Sequence, residues 1–216
     1  VQIGVDSTAI LTAPQVENPR RMGKIIMYGT SIQQGGCASR VGMVSGSMIQ
    51  REYNLECVNL STSGNARMDL YMAEAMASIE DAICFVIDPV PNCTKDRLDT
   101  ITYDFIKILR TLRPEVPIIM VEGIMYPYTR HNSFFADYLP QKNASFRRAY
   151  EQHKAENPKG LYYMTHDGQV GPEMEGTVDG VHLTDYGFRA YADILEVVIK
   201  KALDKTGVKY NLTPTC

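Results

Sequence analysis

The chain has 216 residues, 44% of them hydrophobic and 22% charged, and a formal net charge of -3. These values describe one globular domain large enough to bury a core without disulfide or metal staples. They exclude a polybasic nucleic-acid binder, because no Lys/Arg run occurs, and no apolar run approaches the length of a membrane span.

Residues 1–22 show weak periodicity, with Pro14, Pro19 and the pair Arg20-Arg21. They read as an extended lead-in or a linker, and residues 23–216 as the folded domain. Val1–Ile10 lacks the basic flank and apolar core of a secretory signal. A secreted or periplasmic setting is the expectation if a signal was removed upstream. The five cysteines are an odd number without a CxxC pair, so neither a zinc site nor a redox motif is expected.

Lys24–Tyr28 is an apolar run that reads as a buried strand and stops at Gly29-Thr30-Ser31. Val41, Val44 and Met48 begin a helical stripe that carries on to about Tyr53. Leu55–Leu60 is the second strand, followed by the turn cluster Ser61-Thr62-Ser63-Gly64-Asn65. Met68, Met72, Met76 and Ile79 fall on one face of a helix. Ala82–Ile87 is the third strand, closed by Pro89 and Pro91. Thr94 is a plausible N-cap for a helix with the stripe Leu98, Ile101, Phe105, Ile108 and Leu112.

Pro117–Glu122 is the fourth strand. Gly123–Pro140 reads as a long loop rich in aromatic residues, of the kind that often serves as a lid or binding segment. Gln141–Asn157 is helical in composition, and Leu161–Met164 is the fifth strand. His166–Leu183 is a loop rich in Gly and acidic residues. Thr184 caps the last helix, with Phe188, Tyr191, Ile194, Leu195 and Val198 as its stripe, and Gly207 ends it. Strand–helix alternation of this kind specifies an α/β fold, a three-layer α/β/α sandwich around a parallel sheet of about five strands.

In such a sheet the loops after the strands open on one edge, where ligands bind. That edge collects Ser31, Gly64, Asn92 and the pair Asp179/His182. A serine nucleophile needs a base within reach and a carboxylate to hold the base's tautomer. Asp179 and His182, three residues apart at the mouth of a helix, can supply both. His166, beside Asp167, is the rival base. His153 reads as a solvated residue on a charged helix, and His131 as an exposed loop residue. The oxyanion of acyl transfer needs donors, and the N–H groups of Ser31 and Gly64 and the Asn92 side-chain amide are the candidates. A polar mouth of Gln33, Gln34, Asn65 and Arg67, with Tyr126 and Tyr128, suits a sugar.

The four residues Ser31, Gly64, Asn92 and His182, with the D-x-x-H spacing of Asp179 and His182, resemble the SGNH (GDSL-like) hydrolase superfamily. G-T-S-I stands at the serine block, S-T-S-G-N at the glycine block, P-N-C at the asparagine block and D-G-V-H-L-T-D-Y-G-F at the last. The branch resembled is the bacterial GDSL-like lipase/acylhydrolase group, often found with a separate β-rich N-terminal module. The resemblance implies a flavodoxin-like SGNH-hydrolase fold. It also implies a serine esterase that needs no metal or cofactor and acts on carboxylic esters, with acetyl groups on a carbohydrate as the first expectation. Thr30 stands where the family has Asp, and Val90 and Cys93 replace its Gly and Asp in the third block. There is no G-x-S-x-G elbow of an ordinary α/β-hydrolase. A catalytically silent glycan-binding module on the same fold is the alternative. A nucleotide or phosphate binder is disfavoured, because both G-x-G-x-x-G and the P-loop pattern are absent.

Overall fold

The computed structural model describes residues 2, 4–13, 15, 23–208 and 210. Of the expected lead-in at 1–22, residues 1, 3, 14 and 16–22 lie outside them. Five parallel strands form one sheet in the order β2-β1-β3-β4-β5. They are β1 (Lys24–Gly29), β2 (Glu56–Asn59), β3 (Ala82–Asp88), β4 (Ile118–Val121) and β5 (Leu161–Met164). Between and after them run α1 (Ser31–Gln34), α2 (Ser45–Tyr53), α3 (Leu70–Ala77), α4 (Lys95–Leu112), α5 (Ser133–Glu156) and α6 (Asp185–Leu203). No helix among the described residues is long and apolar enough to cross a membrane.

The inner strands β1, β3 and β4 are apolar on both faces because both faces are covered, while the edge strands β2 and β5 are only partly buried. Alternate residues of β1 divide between two cores. Ile25 and Met27 pack with α2 and α6, through Ile49, Phe188 and Leu195. Ile26 and Tyr28 pack with α3 and α4, through Met76, Phe105 and Leu109. The chain leaves β1 toward β2 on one side and returns to place β3 on the other. The crevice between the carboxyl ends of β1 and β3 is therefore the switch point of the sheet. Gly29 stands in register with Asp88 there.

Several local expectations need correction. Val41 lies in a short 3-10 turn and is 82% exposed, so the stripe begins only with α2. Met68 precedes α3 with φ +59° and donates its N–H to the Tyr28 hydroxyl at 2.9 Å. It is a core residue, but the methionine stripe is not one helix face. The segment 123–140 is not one long loop. It holds a 3-10 turn at Pro127–His131, and α5 begins at Ser133 and runs through Pro140. In α4 the buried line is Leu98, Thr102, Phe105, Ile106 and Leu109, and Leu112 is half-exposed. The last helix stops at Leu203, before Gly207. His153 is buried, stacked on Tyr103 and bonded to its carbonyl at 2.9 Å.

Two buried carboxylates mark the carboxyl edge. Glu122, after β4, accepts from Arg147, from the Tyr163 hydroxyl at 2.9 Å, and from His166 N and Nδ1 at 3.0 and 2.7 Å. Burial opposes its charge. The bonds from His166, Arg147 and Tyr163 outweigh that cost and hold the carboxyl at about 2. Asp88 ends β3 with one strong donor, the Tyr191 hydroxyl at 2.8 Å. Burial pushes its carboxyl up to about 7 in spite of that bond. An acid whose pKa is raised by folding stabilises the fold fully below its unfolded value of about 3.9, and that stability is lost as pH rises through about 7. Asp88→Asn keeps an acceptor for Tyr191 and cannot ionise. Its thermal midpoint relative to wild type should therefore climb between about pH 4 and pH 8, by the equivalent of a few kcal/mol at about 1.4 kcal/mol per pH unit. A constant difference across that range would contradict a buried, titrating Asp88.

Candidate active site

Ser31 is the first residue of α1, directly after β1. Thr30 is its N-cap. It is fully buried, and its Oγ1 accepts from Ile32 N at 3.3 Å. This gives a local reason for threonine where the resembling family has Asp: the hydroxyl closes the turn that presents the serine. The N–H of a first helical residue has no intrahelical acceptor, so that of Ser31 is available to a ligand. Gly35 ends α1 in the left-handed region at φ +105°.

His182 and Asp179 sit on a tight loop before α6. Thr177 and Leu183 form an antiparallel bridge across its neck. Val178 N donates to His182 O at 2.8 Å. Asp179 Oδ1 accepts from the N–H groups of Val181 at 2.9 Å and His182 at 2.7 Å. Gly180 turns the loop at φ +88°, and a Cβ there would stand 2.8 Å from the Tyr128 ring. Thr184 caps α6 by accepting from Gly187 N at 3.2 Å. The loop and the helix mouth meet closely: a Cβ on Gly187 would fall 2.0 Å from the Gly176 carbonyl oxygen.

These two turns meet across the sheet edge. Ser31 Oγ lies 2.9 Å from His182 Nε2, a pair 151 residues apart in sequence. On the other side of the ring, His182 Nδ1 lies 2.7 Å from Asp179 Oδ2. An ionised carboxylate can only accept, so Nδ1 carries the proton and Nε2 accepts from the serine hydroxyl. Asp179 is held well below the usual carboxylate range, first by the His182 side chain and then by the two backbone N–H groups. His166 is engaged elsewhere, its Nδ1 on Glu122. That bond raises the His166 pKa and ties the ring to the β4–β5 side. The rival base is thus a partner of a buried carboxylate.

The glycine loop is clamped to the Ser31 turn. Thr62 N donates to Gly29 O at 3.0 Å, and Ser63 N donates to Gln34 Oε1 at 2.9 Å. Gly64 follows in the left-handed region at φ +69° and is exposed. Asn92 closes a 3-10 turn, Val90–Asn92, after β3. Its Oδ1 accepts from Ala66 N at 3.3 Å, a bond that does not engage Nδ2. Cys93 lies 3.7 Å from the Ala66 carbonyl, as a thiol donor. The residues flanking the third block thus tie it to the second. Val90 fills the space against Gly123, where a Cβ would stand 2.8 Å from Val90 Cγ1. If Asn92 serves as the oxyanion donor expected from the sequence, Asn92→Ala would lower kcat by about 10²–10³ with KM little changed, the usual cost of one such donor. Steady-state kinetics on a small ester would check it.

The expected mouth is only partly as anticipated. Asn65 and Arg67 are exposed on the Gly64 loop, and Arg67 Nη2 donates to the Gly64 carbonyl at 3.4 Å. Gln33 is buried, not at the mouth, with its Oε1 3.4 Å from Ser45 Oγ. Tyr126 is buried and stacked on Tyr128 at 5.3 Å between centroids. Tyr128 alone of the two keeps exposed surface. The supporting roles of Thr30, Gln34 and Cys93 carry no motif by which sequence could have revealed them. Among the described residues no group of three or more His, Cys, Asp or Glu is placed to hold a metal ion.

A family model described as the GDSL-like Lipase/Acylhydrolase family matches residues 22–200. No curated protein matches the chain at a significant level. Among solved structures, a protein of Bacteroides ovatus ATCC 8483 described as a GDSL-like lipase is similar at 31% identity and a TM-score of 0.81. The match covers 88% of this chain and 55% of that one. A salicylyl-acyltransferase from a tetracycline biosynthetic pathway is similar at 17% identity and a TM-score of 0.76, over 95% of this chain and 60% of that one. A family two carbohydrate esterase from Clostridium thermocellum, in complex with cellohexaose, is similar at 16% identity and 0.63, over 90% and 67%. The chain thus spans little more than half the length of the first two.

Proposed function

Because the chain belongs to the GDSL-like lipase/acylhydrolase family, we propose that it is a serine esterase that cleaves carboxylic esters through an acyl-enzyme on Ser31. The observation that carries this reading is the continuous contact from Ser31 Oγ through His182 to Asp179. Ser31 Oγ attacks the acyl carbon and gives its proton to His182 Nε2. The carbonyl oxygen becomes an oxyanion that takes hydrogen bonds from Ser31 N–H, Gly64 N–H and Asn92 Nδ2. The bond to the alcohol oxygen then breaks, and that oxygen leaves with the proton from His182. Water repeats the sequence: it attacks the acyl-enzyme, loses a proton to His182, and the acid departs as Ser31 Oγ regains the proton.

The substrate proposed is a small acyl group, acetyl first, on a carbohydrate. Two features support a bulky polar alcohol. The Asp179 side chain is 50% exposed, and Gly64, Asn65 and Arg67 lie on an exposed rim, so the site stands open to a large leaving group. The rim also offers amide and guanidinium donors, and the Tyr128 ring lies against Gly180 of the histidine loop. A fluorophosphonate tests the mechanism, because it phosphonylates an activated serine far faster than an ordinary one. Mass spectrometry should find the adduct on Ser31, and p-nitrophenyl acetate should outpace longer acyl esters. A chain that stays unmodified, or is modified equally after Ser31→Ala, would instead be a catalytically silent glycan-binding module.

A further inference from the structure

Lys142 of α5 is a buried lysine, 5% exposed. Its Nζ donates to the Pro91 carbonyl at 3.3 Å and lies 5.9 Å from the centroid of the Tyr138 ring. None of the ion pairs among the described residues includes it. A buried charge without a counter-ion costs several kcal/mol, so its retention calls for a reason. The cavity beside it is about 10 Å³, lined by Val90, Pro91, Gly123 and Tyr126 among others. That is room for one water at most, and Lys142 is therefore not a substrate ligand. What it does touch is the peptide that leads into Asn92.

We propose that Lys142 is a positioning residue of the oxyanion hole: its ammonium clamps the Pro91 carbonyl and so aims the Asn92 amide and charges its surroundings. This rests on the ester-hydrolase reading. The Val90–Asn92 turn has few other ties: Asn92 N bonds back to Pro89 O at 3.0 Å, Cys93 N to Val90 O at 3.2 Å, and Asn92 Oδ1 takes the neutral bond from Ala66 N at 3.3 Å. A hydrogen bond from an ammonium is about twice as strong as a neutral one. The same positive charge, little screened because it is buried, favours negative charge developing next to that turn.

The clamp is also sensitive to pH. Burial lowers the Lys142 ammonium to about 8, against the opposing influence of the Cys93 thiol. Among the described residues, three other titratable groups lie around it, Tyr126 by sharing the small cavity. Cys93, after the turn, is pushed up to about 11 by burial. Tyr126, after β4, is raised above the ordinary phenol range by burial. Tyr138 on α5 presents its ring face. Neither Cys93 nor Tyr126 is ionised at pH 8, so neither serves as a counter-ion. Activity should therefore fall as pH rises through about 8.

The test is the rate of Ser31 modification by a fluorophosphonate, together with kcat and KM on p-nitrophenyl acetate, from about pH 6.5 to 9.5. It uses wild type, Lys142→Met and Lys142→Arg, with the thermal midpoint of each as a folding check. Wild type should slow severalfold across the alkaline range. Lys142→Met should be about tenfold slower at pH 7 with KM unchanged, a fraction of the loss of a whole oxyanion donor, and should show no alkaline decline. Lys142→Arg, which cannot deprotonate in this range, should restore most of the rate and stay flat. A wild type without the decline, or a Met variant that keeps it, overturns the role of Lys142, since a merely structural lysine would shift only the midpoint. If Ser31 of wild type is never modified, the hydrolase reading falls first and this inference with it.

Discussion

Ser31→Ala is expected to lower kcat by about 10⁶, the scale on which removal of a serine nucleophile acts in other hydrolases. The substitution is clean. Among the described residues the only side-chain bond of Ser31 is the one to His182, and the turn that holds the residue is closed by Thr30 and the Gly35 cap, not by the hydroxyl. The variant should fold with a thermal midpoint within a degree or two of wild type, in line with a surface change of under about 0.5 kcal/mol. What survives should be the ~10³ or so that oxyanion donors and binding alone retain over water. Assays need a substrate with low background and protein free of host esterase. Residual activity above about 1% of wild type would remove Ser31 from the nucleophile's role.

Asp179→Asn is expected to cost about 10³–10⁴ in kcat, nearly all of it through the histidine tautomer. The geometry makes the argument specific. Asp179 Oδ1 is committed to the N–H groups of Val181 and His182, and only Oδ2 meets His182 Nδ1. An asparagine keeps its oxygen on the two backbone donors, which can bond to nothing else. Its NH2 then faces Nδ1 and compels that nitrogen to accept. The ring proton moves to Nε2, which can no longer take the proton from Ser31. The loop should keep its shape, so KM should change little, and the fluorophosphonate should react more slowly in proportion. Because Asp179 is half-exposed, water can partly replace it in Asp179→Ala, which should therefore be the milder of the two variants. A loss under tenfold in Asp179→Asn would mean that something other than Asp179 orients His182.

Much of this was legible in the chain itself, for identifiable reasons. The inner strands read clearly because burial on both faces makes them uninterrupted apolar runs, as in Ala82–Ile87 and Ile118–Val121. The caps Thr94 and Thr184 were legible because a cap is a local device, and both accept the expected N–H three residues on. What failed was non-local. Pro140 suggested a boundary, but α5 runs through it because Leu139, Lys142, Asn143 and Phe146 are buried on either side. That packing outweighs one lost backbone bond. His153 was hidden by its charged neighbours. Phe146, Ala149 and His153 lie at i, i+3 and i+7, a buried face that periodicity alone could have found. Met68 fits a helix stripe by spacing and leaves it because the Tyr28 hydroxyl, 40 residues away, takes its N–H.

The strand order bears on when the chain becomes reactive. Every neighbouring pair in the sheet is parallel, so none can close by a hairpin, and each waits for a crossover. A chain emerging from the ribosome completes β1 to β4, with Ser31, Gly64 and Asn92, well before residues 179–182 exist. Through that interval the serine has no base. It gains one only when α6 docks and brings Tyr191 onto Asp88 and Arg189 onto Glu52. On the proposed mechanism Ser31 is therefore without its base until residues 179–182 are in place, and its modification by a fluorophosphonate would require the C-terminal end of the fold to have docked.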